Sequence, residues 1–126
     1  MGLVLVMIGG GIGAGSRYLL GSWLHAQLGS GFPWGTFAVN AIGSLLIGAV
    51  FGLAQRGSIS PTITLFLTVG VLGGFTTFSA FSYETLQLIS SGNFIASFLN
   101  VTGQFAVSLM AVYLGFAIVR VLPAVA

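Results

Sequence analysis

The chain has 126 residues, of which three are Lys or Arg and one is Asp or Glu, and 56% are hydrophobic. A soluble domain carries roughly 25% charged residues, and a disordered chain needs low hydrophobicity with high charge, so the composition excludes both classes. Three arginines cannot form a nucleic-acid-binding surface and the chain has no cysteine for disulfides, so we expect an integral membrane protein with no nucleic-acid partner.

Four apolar stretches follow one another along the chain, each long enough to cross a hydrocarbon layer that needs roughly 20 residues. We predict an all-α fold with helices over residues 3–24, 34–54, 61–90 and 94–122, in a single transmembrane domain of residues 1–126. Turn-rich segments at 29–33, 55–58 and 91–93 separate these helices, and Pro61 suits the first turn of the third. Four helices joined by short loops place both termini on one side.

The arginines give only a small bias in orientation. Arg56 and Arg120 lie on the side of the termini, and Arg17 lies toward the opposite end of the first helix. Since orientation follows the Lys and Arg near segment ends, the chain has either one fixed topology or two opposite ones. Its twenty glycines allow close helix packing in lipid, which predicts a homodimer or a larger assembly.

Two polar stripes run through the predicted spans at a spacing of four residues. Their members are Thr36, Asn40 and Ser44 on the second helix, and Asn100, Gln104 and Ser108 on the fourth. Such neutral donors either replace the water around a small anion as it crosses or bond a neighbouring helix. For a single Ser or Thr the second interpretation is favoured, whereas for Asn40, mid-span with four bonding sites, the first is favoured.

The few ionisable residues have two interpretations each. Arg17 inside the first span either reaches the interface or forms a vestibule cation that attracts anions. Glu84, the lone acid, lies near the end of the third span, where an interfacial position is expected. His25 at a helix end is expected to be an ordinary interfacial histidine.

The middle of the third span contains poor helix formers. Gly73 and Gly74 are followed by the β-branched Thr76 and Thr77, which predicts a break near the middle of the membrane. A break there frees backbone carbonyls, and free carbonyls coordinate cations in transporters. From these residues alone, the sequence predicts a site for a cation without saying which one.

Aromatic residues follow the predicted break. Phe78 and Phe81 are three residues apart and share a face if the helix resumes, and Ser79 and Ser82 share the adjacent face. The edge of a phenyl ring carries partial positive charge, so two such edges either touch a small anion or simply pack against each other.

Three motifs in order resemble the Fluc (CrcB) family of fluoride channels along the whole chain. They read Gly-Ala-Gly-Ser-Arg-Tyr at 13–18, Pro-Trp-Gly-Thr-Phe-Ala-Val-Asn at 33–40, and Gly-Gly-Phe-Thr-Thr-Phe-Ser-Ala-Phe-Ser-Tyr-Glu at 73–84. The resemblance implies a dual-topology homodimer of antiparallel subunits with two fluoride pores, embedded in the lipid of the cell membrane.

The resemblance also implies roles for individual residues. Phe78 and Phe81 look like the family's pair of pore phenylalanines, Asn40 matches its pore asparagine, and Ser108 matches its pore hydroxyl on the fourth helix. The carbonyls of Gly73 and Thr76 match a central, structural Na⁺ site to which two subunits supply four oxygens. Thr36 and Arg17 match family positions, Ser79 lies beside the aromatic pair, and Gln104 departs from the small hydroxyl of some members.

The function that the resemblance implies is passive export of fluoride. Fluoride enters an acidified cell as HF, dissociates inside and is trapped, and a channel lets the membrane potential drive it out. No nucleotide-binding motif of the type G-x-x-x-x-G-K-[ST] is present, and no enzymatic activity is expected. One alternative, a proton-coupled small multidrug exporter, calls for an acid in the first span, and none is there. Another, a non-transporting assembly subunit, leaves the break unexplained.

Overall fold

The computed structural model describes residues 1–123, and the last three residues of the predicted domain lie outside this range. Every regular element in residues 1–123 is helical, and four spans are long and apolar enough to cross a membrane. Three of the spans are single helices: α1 (Gly2–Leu28), α2 (Trp34–Gln55) and α6 (Phe94–Val121). The predicted all-helical fold with four spans is therefore confirmed.

The third span, Pro61–Ser90, is built from four pieces. It begins with α3 (Pro61–Leu65), widens into a π-helical segment (Phe66–Leu72), and closes with the short α4 (Gly73–Phe75). Thr76 and Thr77 are extended, with φ −81°, ψ 157° and φ −154°, ψ 116°, and α5 (Phe78–Ser90) follows. The predicted break is confirmed, whereas the π-helical segment before it was not predicted.

Side-chain oxygens cap the N-termini of three of these helices. Ser60 Oγ accepts a hydrogen bond from the Ile63 N–H ahead of Pro61, and Asn93 Oδ1 accepts one from the Ala96 N–H at the start of α6. Thr77 Oγ1 accepts from the Ala80 N–H and so restarts the helix after the break. Each oxygen pairs an N–H group that has no partner in the first turn of a helix.

The first helix runs four residues beyond its predicted end at residue 24. It ends at Leu28 because Gly29 adopts a positive φ of 77° with ψ −172°, which few residues other than glycine adopt, and its N–H donates to the His25 carbonyl. Glycine reaches a positive φ without steric cost, so the helix continues to the start of the turn-rich segment at 29–33. The last helix ends at Val121, one residue before its predicted end.

Glycines bring the spans into backbone contact. A Cβ atom on Gly9 would lie 2.9 Å from the Gly70 Cα, and one on Gly13 would overlap the carbonyl oxygen of Val71, so α1 lies directly against the π-helical segment. On the other side of the molecule, a Cβ on Gly48 would overlap the Val112 carbonyl of α6. Small residues therefore join α1 to the third span and α2 to α6.

Little of the chain is enclosed within it. Val39 and Asn100 are the largest fully buried side chains, while large apolar residues such as Leu3, Tyr113 and Ile95 are more than 70% exposed. An apolar exterior around a small core containing a polar amide is the reverse of a soluble domain.

Two arginines lie on the side of the molecule where the chain begins and ends, and both make local contacts. Arg56 donates to the Val119 and Leu122 carbonyls, and Arg120 lies over the Phe116 ring.

Candidate ion pathway

A groove of about 380 Å³ lies along the break in the third span, between α2, α5 and α6. One of its walls is formed by aromatic rings and another by amide and hydroxyl groups. Its lining residues are Asn40, Gly43, Ser44, Ile47, Thr76, Thr77, Phe78, Phe81, Gln104, Phe105, Ser108 and Leu109. We refer to this feature as the groove.

The groove brings together five of the seven residues that were predicted to line an ion pathway. These are Asn40, Phe78, Phe81, Gln104 and Ser108. The other two lie elsewhere. Ser79 is exposed, with its hydroxyl 3.2 Å from that of Thr77, and Thr36 lines a different cavity.

Three phenyl rings form the aromatic wall. The Phe78 and Phe81 ring centroids are 5.2 Å apart at an interplanar angle of 47°, and Phe105 meets Phe81 edge-on at 6.3 Å. Phe81 is 7% exposed and Phe78 is 71% exposed, so the pair runs from the interior of the chain to its surface. The sequence did not single out Phe105, because it lies one residue off the polar stripe of α6.

Asn40 holds the break in place through three hydrogen bonds. Its Oδ1 accepts from the Thr77 N–H at 2.8 Å, and its Nδ2 donates to the Thr77 carbonyl at 3.1 Å and to Gln104 Oε1 at 2.8 Å. In a continuous helix the Thr77 N–H would bond the Gly73 carbonyl, four residues earlier. Asn40 therefore takes over the backbone group that the break releases, and both of its own N–H groups are engaged.

Further hydrogen bonds lead from Gln104 to buried residues of α6 and to α5. Gln104 Nε2 donates to Asn100 Oδ1 at 2.8 Å, Asn100 Nδ2 donates to Thr85 Oγ1 at 3.0 Å, and Thr85 Oγ1 donates to the Phe81 carbonyl at 2.7 Å. We refer to this run of bonds, from Thr77 through Asn40, Gln104, Asn100 and Thr85 to Phe81, as the amide chain. The sequence placed Asn100 on a polar stripe but missed Thr85, whose partner lies on another helix.

The predicted vestibule cation lies beside a second cavity, of about 460 Å³. Arg17, Thr36 and Thr77 all line this cavity, so it adjoins the other side of the break. The Thr36 hydroxyl donates to Glu84 Oε1 at 2.7 Å, whereas Glu84 Oε2 is buried without a hydrogen-bond partner among the described residues. Glu84 also borders a further cavity of about 640 Å³ with the exposed His25.

The two residues of the predicted cation site lie at the two ends of α4: Gly73 is its first residue, and Thr76 directly follows its last. Gly73 is exposed and Thr76 is half-buried at the rim of the groove. The Thr76 side chain bonds the Leu72 carbonyl at 2.9 Å. Within residues 1–123 no three His, Cys, Asp or Glu side chains come together to bind a metal, so a cation in this region would depend on backbone oxygens.

These features define a class: a four-span helical membrane protein with an interrupted third span, whose groove is lined by neutral amide and hydroxyl groups and by aromatic rings. The chain belongs to the CrcB-like family, because the family model described as "CrcB-like protein, Camphor Resistance (CrcB)" matches residues 4–116. It is accordingly a multi-pass membrane protein.

Curated relatives carry one name in common. A protein of Thermus thermophilus is 48% identical over 90% of this chain and 89% of its own length, and one of Roseiflexus sp. is 44% identical over 98% and 100%. A third, from Phocaeicola vulgatus, is 46% identical over 90% and 93%. Each of these relatives is named "Fluoride-specific ion channel FluC".

Proposed function

We propose that the protein is a passive, fluoride-selective channel that lets cytoplasmic fluoride leave the cell across the cell membrane and so protects against fluoride toxicity. The observation that carries the proposal is the groove, which combines phenyl rings with neutral amide and hydroxyl groups at the break of the third span. The relatives' shared name supports fluoride as the ion. A channel of this kind performs no covalent chemistry and is not an enzyme.

The lining of the groove suits a small anion that must both enter and leave. Amide N–H and hydroxyl groups such as those of Gln104 and Ser108 hydrogen-bond an anion in place of water but carry no charge to trap it. The edges of Phe78 and Phe81 add a weak positive field. Weak contacts at several points favour conduction over tight binding, and Asn40 keeps the break open between the polar and aromatic walls.

A second copy of the chain is expected to complete the pathway. Phe78, which lines the groove, is exposed, and Gly73 is exposed as well, so part of the predicted site lies on the chain's surface. The divided arginines favour an antiparallel homodimer in which the copies insert in opposite orientations. The apolar remainder of the surface would face lipid.

A dimer also accounts for the cation site. The carbonyl oxygens of Gly73 and Thr76 are hard donors, which suit Na⁺, and the engagement of the Thr77 N–H by Asn40 leaves the Gly73 carbonyl without its usual helical partner. Two copies would supply four such oxygens. The ion would offset the carbonyl dipoles and hold the subunits in register, and it would not move with fluoride.

Efflux from liposomes tests the function directly. Purified protein is reconstituted into vesicles loaded with fluoride or chloride, and efflux is followed with an ion-selective electrode after the membrane potential is clamped with valinomycin. Rapid fluoride efflux, little chloride efflux and no requirement for a proton gradient are expected. Fluoride efflux no faster than from protein-free vesicles, or strict dependence on a proton gradient, would contradict a passive channel.

The antiparallel assembly has its own test. Lysines added at one end of the chain should force a single orientation, and fluoride efflux should be lost because antiparallel pairs no longer form. Crosslinking of the unmodified protein at a cysteine introduced near one terminus would decide between orientations. Exclusively parallel pairs would contradict the dual topology.

A further inference from the structure

The hydrogen bonds of the amide chain can run in only one donor-to-acceptor direction, because both of its ends are backbone groups. The Thr77 N–H at one end can only donate, and the Phe81 carbonyl at the other end can only accept. Each amide between them has one donor end and one acceptor end. Every bond forms only if Asn40, Gln104 and Asn100 all take the orientation seen here, so the network itself fixes which end of each amide is nitrogen.

This direction decides which amide N–H groups remain free to donate to an ion in the groove. Both N–H groups of Asn40 already donate within the amide chain, one to the Thr77 carbonyl and one to Gln104 Oε1. Gln104 Nε2 also has two N–H groups, and one of them donates to Asn100. Gln104 lines the groove, and its second N–H has no hydrogen-bond partner among the described residues, so we infer that this N–H is the amide donor left for an ion there.

We propose that Asn100 and Thr85 are positioning residues that hold the Gln104 amide in place, with its nitrogen available to an anion in the groove. This inference rests on the proposed channel function. Neither residue lines the groove, and Asn100 has no exposed surface, so both act through Gln104. If Thr85 did not accept from Asn100, Asn100 Nδ2 would lose its acceptor, and the bond from Gln104 Nε2 to Asn100 Oδ1 would hold the Gln104 amide less firmly, although Asn40 Nδ2 would still hold its oxygen.

Three substitutions and one matched control test the proposal by fluoride and chloride efflux from vesicles. Thr85→Val removes the hydroxyl at nearly constant volume, Thr85→Ser keeps it, and Asn100→Leu removes the whole amide. The control, Thr102→Val, makes the same hydroxyl-to-methyl change at an exposed position whose hydroxyl bonds only the Phe98 carbonyl of its own helix.

The expected pattern separates positioning from general stability. Thr85→Val loses its intrahelical bond, as Thr102→Val does, and also the bond from Asn100. Fluoride efflux should fall about tenfold, the effect of that additional hydrogen bond at its upper range, and discrimination against chloride should fall with it. Asn100→Leu should lose at least as much, whereas Thr85→Ser and Thr102→Val should resemble the unmodified protein. Equal efflux in Thr85→Val and Thr102→Val, or equal loss in Thr85→Val and Thr85→Ser, would overturn the proposal.

A measurement on the unmodified protein decides the matter even if a variant does not fold. With Gln and Asn side chains selectively labelled with ¹⁵N, fluoride titration should shift the side-chain amide signal of Gln104 and leave that of Asn40 unchanged. A shift at Asn40 with none at Gln104 would overturn the assignment. Absence of fluoride efflux from the unmodified protein would instead reject the channel function itself.

Discussion

Replacing Asn40 by Asp tests how the break in the third span is held. An ionised Asp keeps the size of Asn and can still accept from the Thr77 N–H, but it cannot donate. The two donated bonds, at 3.1 Å to the Thr77 carbonyl and 2.8 Å to Gln104 Oε1, would become contacts between acceptors. A single hydrogen bond within a membrane protein contributes about 0.6 to 1.7 kcal/mol.

The loss expected for Asn40→Asp follows from these contacts. Two lost bonds amount to about 1–3 kcal/mol, and the oxygens left facing a carboxylate raise the total to about 2–4 kcal/mol of unfolding free energy. Fluoride efflux should also fall by at least about tenfold, because a negative charge beside the groove repels the anion. Denaturant unfolding in detergent and efflux from vesicles measure the two effects separately.

Asn93→Asp is the matched control. Asn93 is exposed, and its Oδ1 accepts from the Ala96 N–H at 3.2 Å at the start of α6. Asp serves as well as Asn at such a position, so stability and efflux should be unchanged. If Asn40→Asp and Asn93→Asp gave the same unfolding curves and the same efflux, the three bonds of Asn40 would not hold the break and the reasoning would be refuted.

Three further predictions use the same assays. Phe78→Ile and Phe81→Ile remove the aromatic edge, and fluoride efflux should drop steeply while the assembly persists on size-exclusion chromatography; undiminished efflux in both would leave the rings as packing residues only. Gly13→Ala should lower stability by about 1–3 kcal/mol, the usual cost of overpacking, because its methyl group would meet the Val71 carbonyl, whereas Gly15→Ala, in open space, should not. Vesicles prepared strictly without Na⁺ should lose fluoride efflux and recover it when Na⁺ is returned; full activity without Na⁺ would remove the cation site.

Local chemistry explains which parts of the fold were predictable. The break was predictable because Gly73, Gly74, Thr76 and Thr77 are poor helix formers as individual residues, whatever surrounds them. The π-helical segment at Phe66–Leu72 was not, because its residues read as an ordinary apolar helix. Its widening accompanies backbone contact with α1, which depends on how two distant segments pack.

The candidate site also contains residues that the sequence predicts and one whose role it does not. Spacing along a helix placed Asn40 on a polar stripe and Phe78 with Phe81 on one face, and the resemblance to the fluoride channels is what grouped the three as pore residues. The role of Thr85 was not predictable, since a threonine in a span usually bonds the carbonyl four residues earlier, as Thr85 does, and nothing in the sequence reveals that its oxygen also accepts from Asn100. Spacing gives the face of a helix, but partners on other helices appear only once the helices are packed.

The amide chain has a consequence for cations. A hydroxyl can turn its hydrogen away and present a lone pair to a passing positive ion, but an amide in the interior of this chain cannot reverse alone, because its neighbours would then meet donor to donor and acceptor to acceptor. Reversal of the whole chain is blocked at both ends by peptide groups of fixed sense. In the proposed channel, the amide of Gln104 would therefore keep the same sign throughout an ion's passage, and discrimination between anions and cations would need no charged side chain.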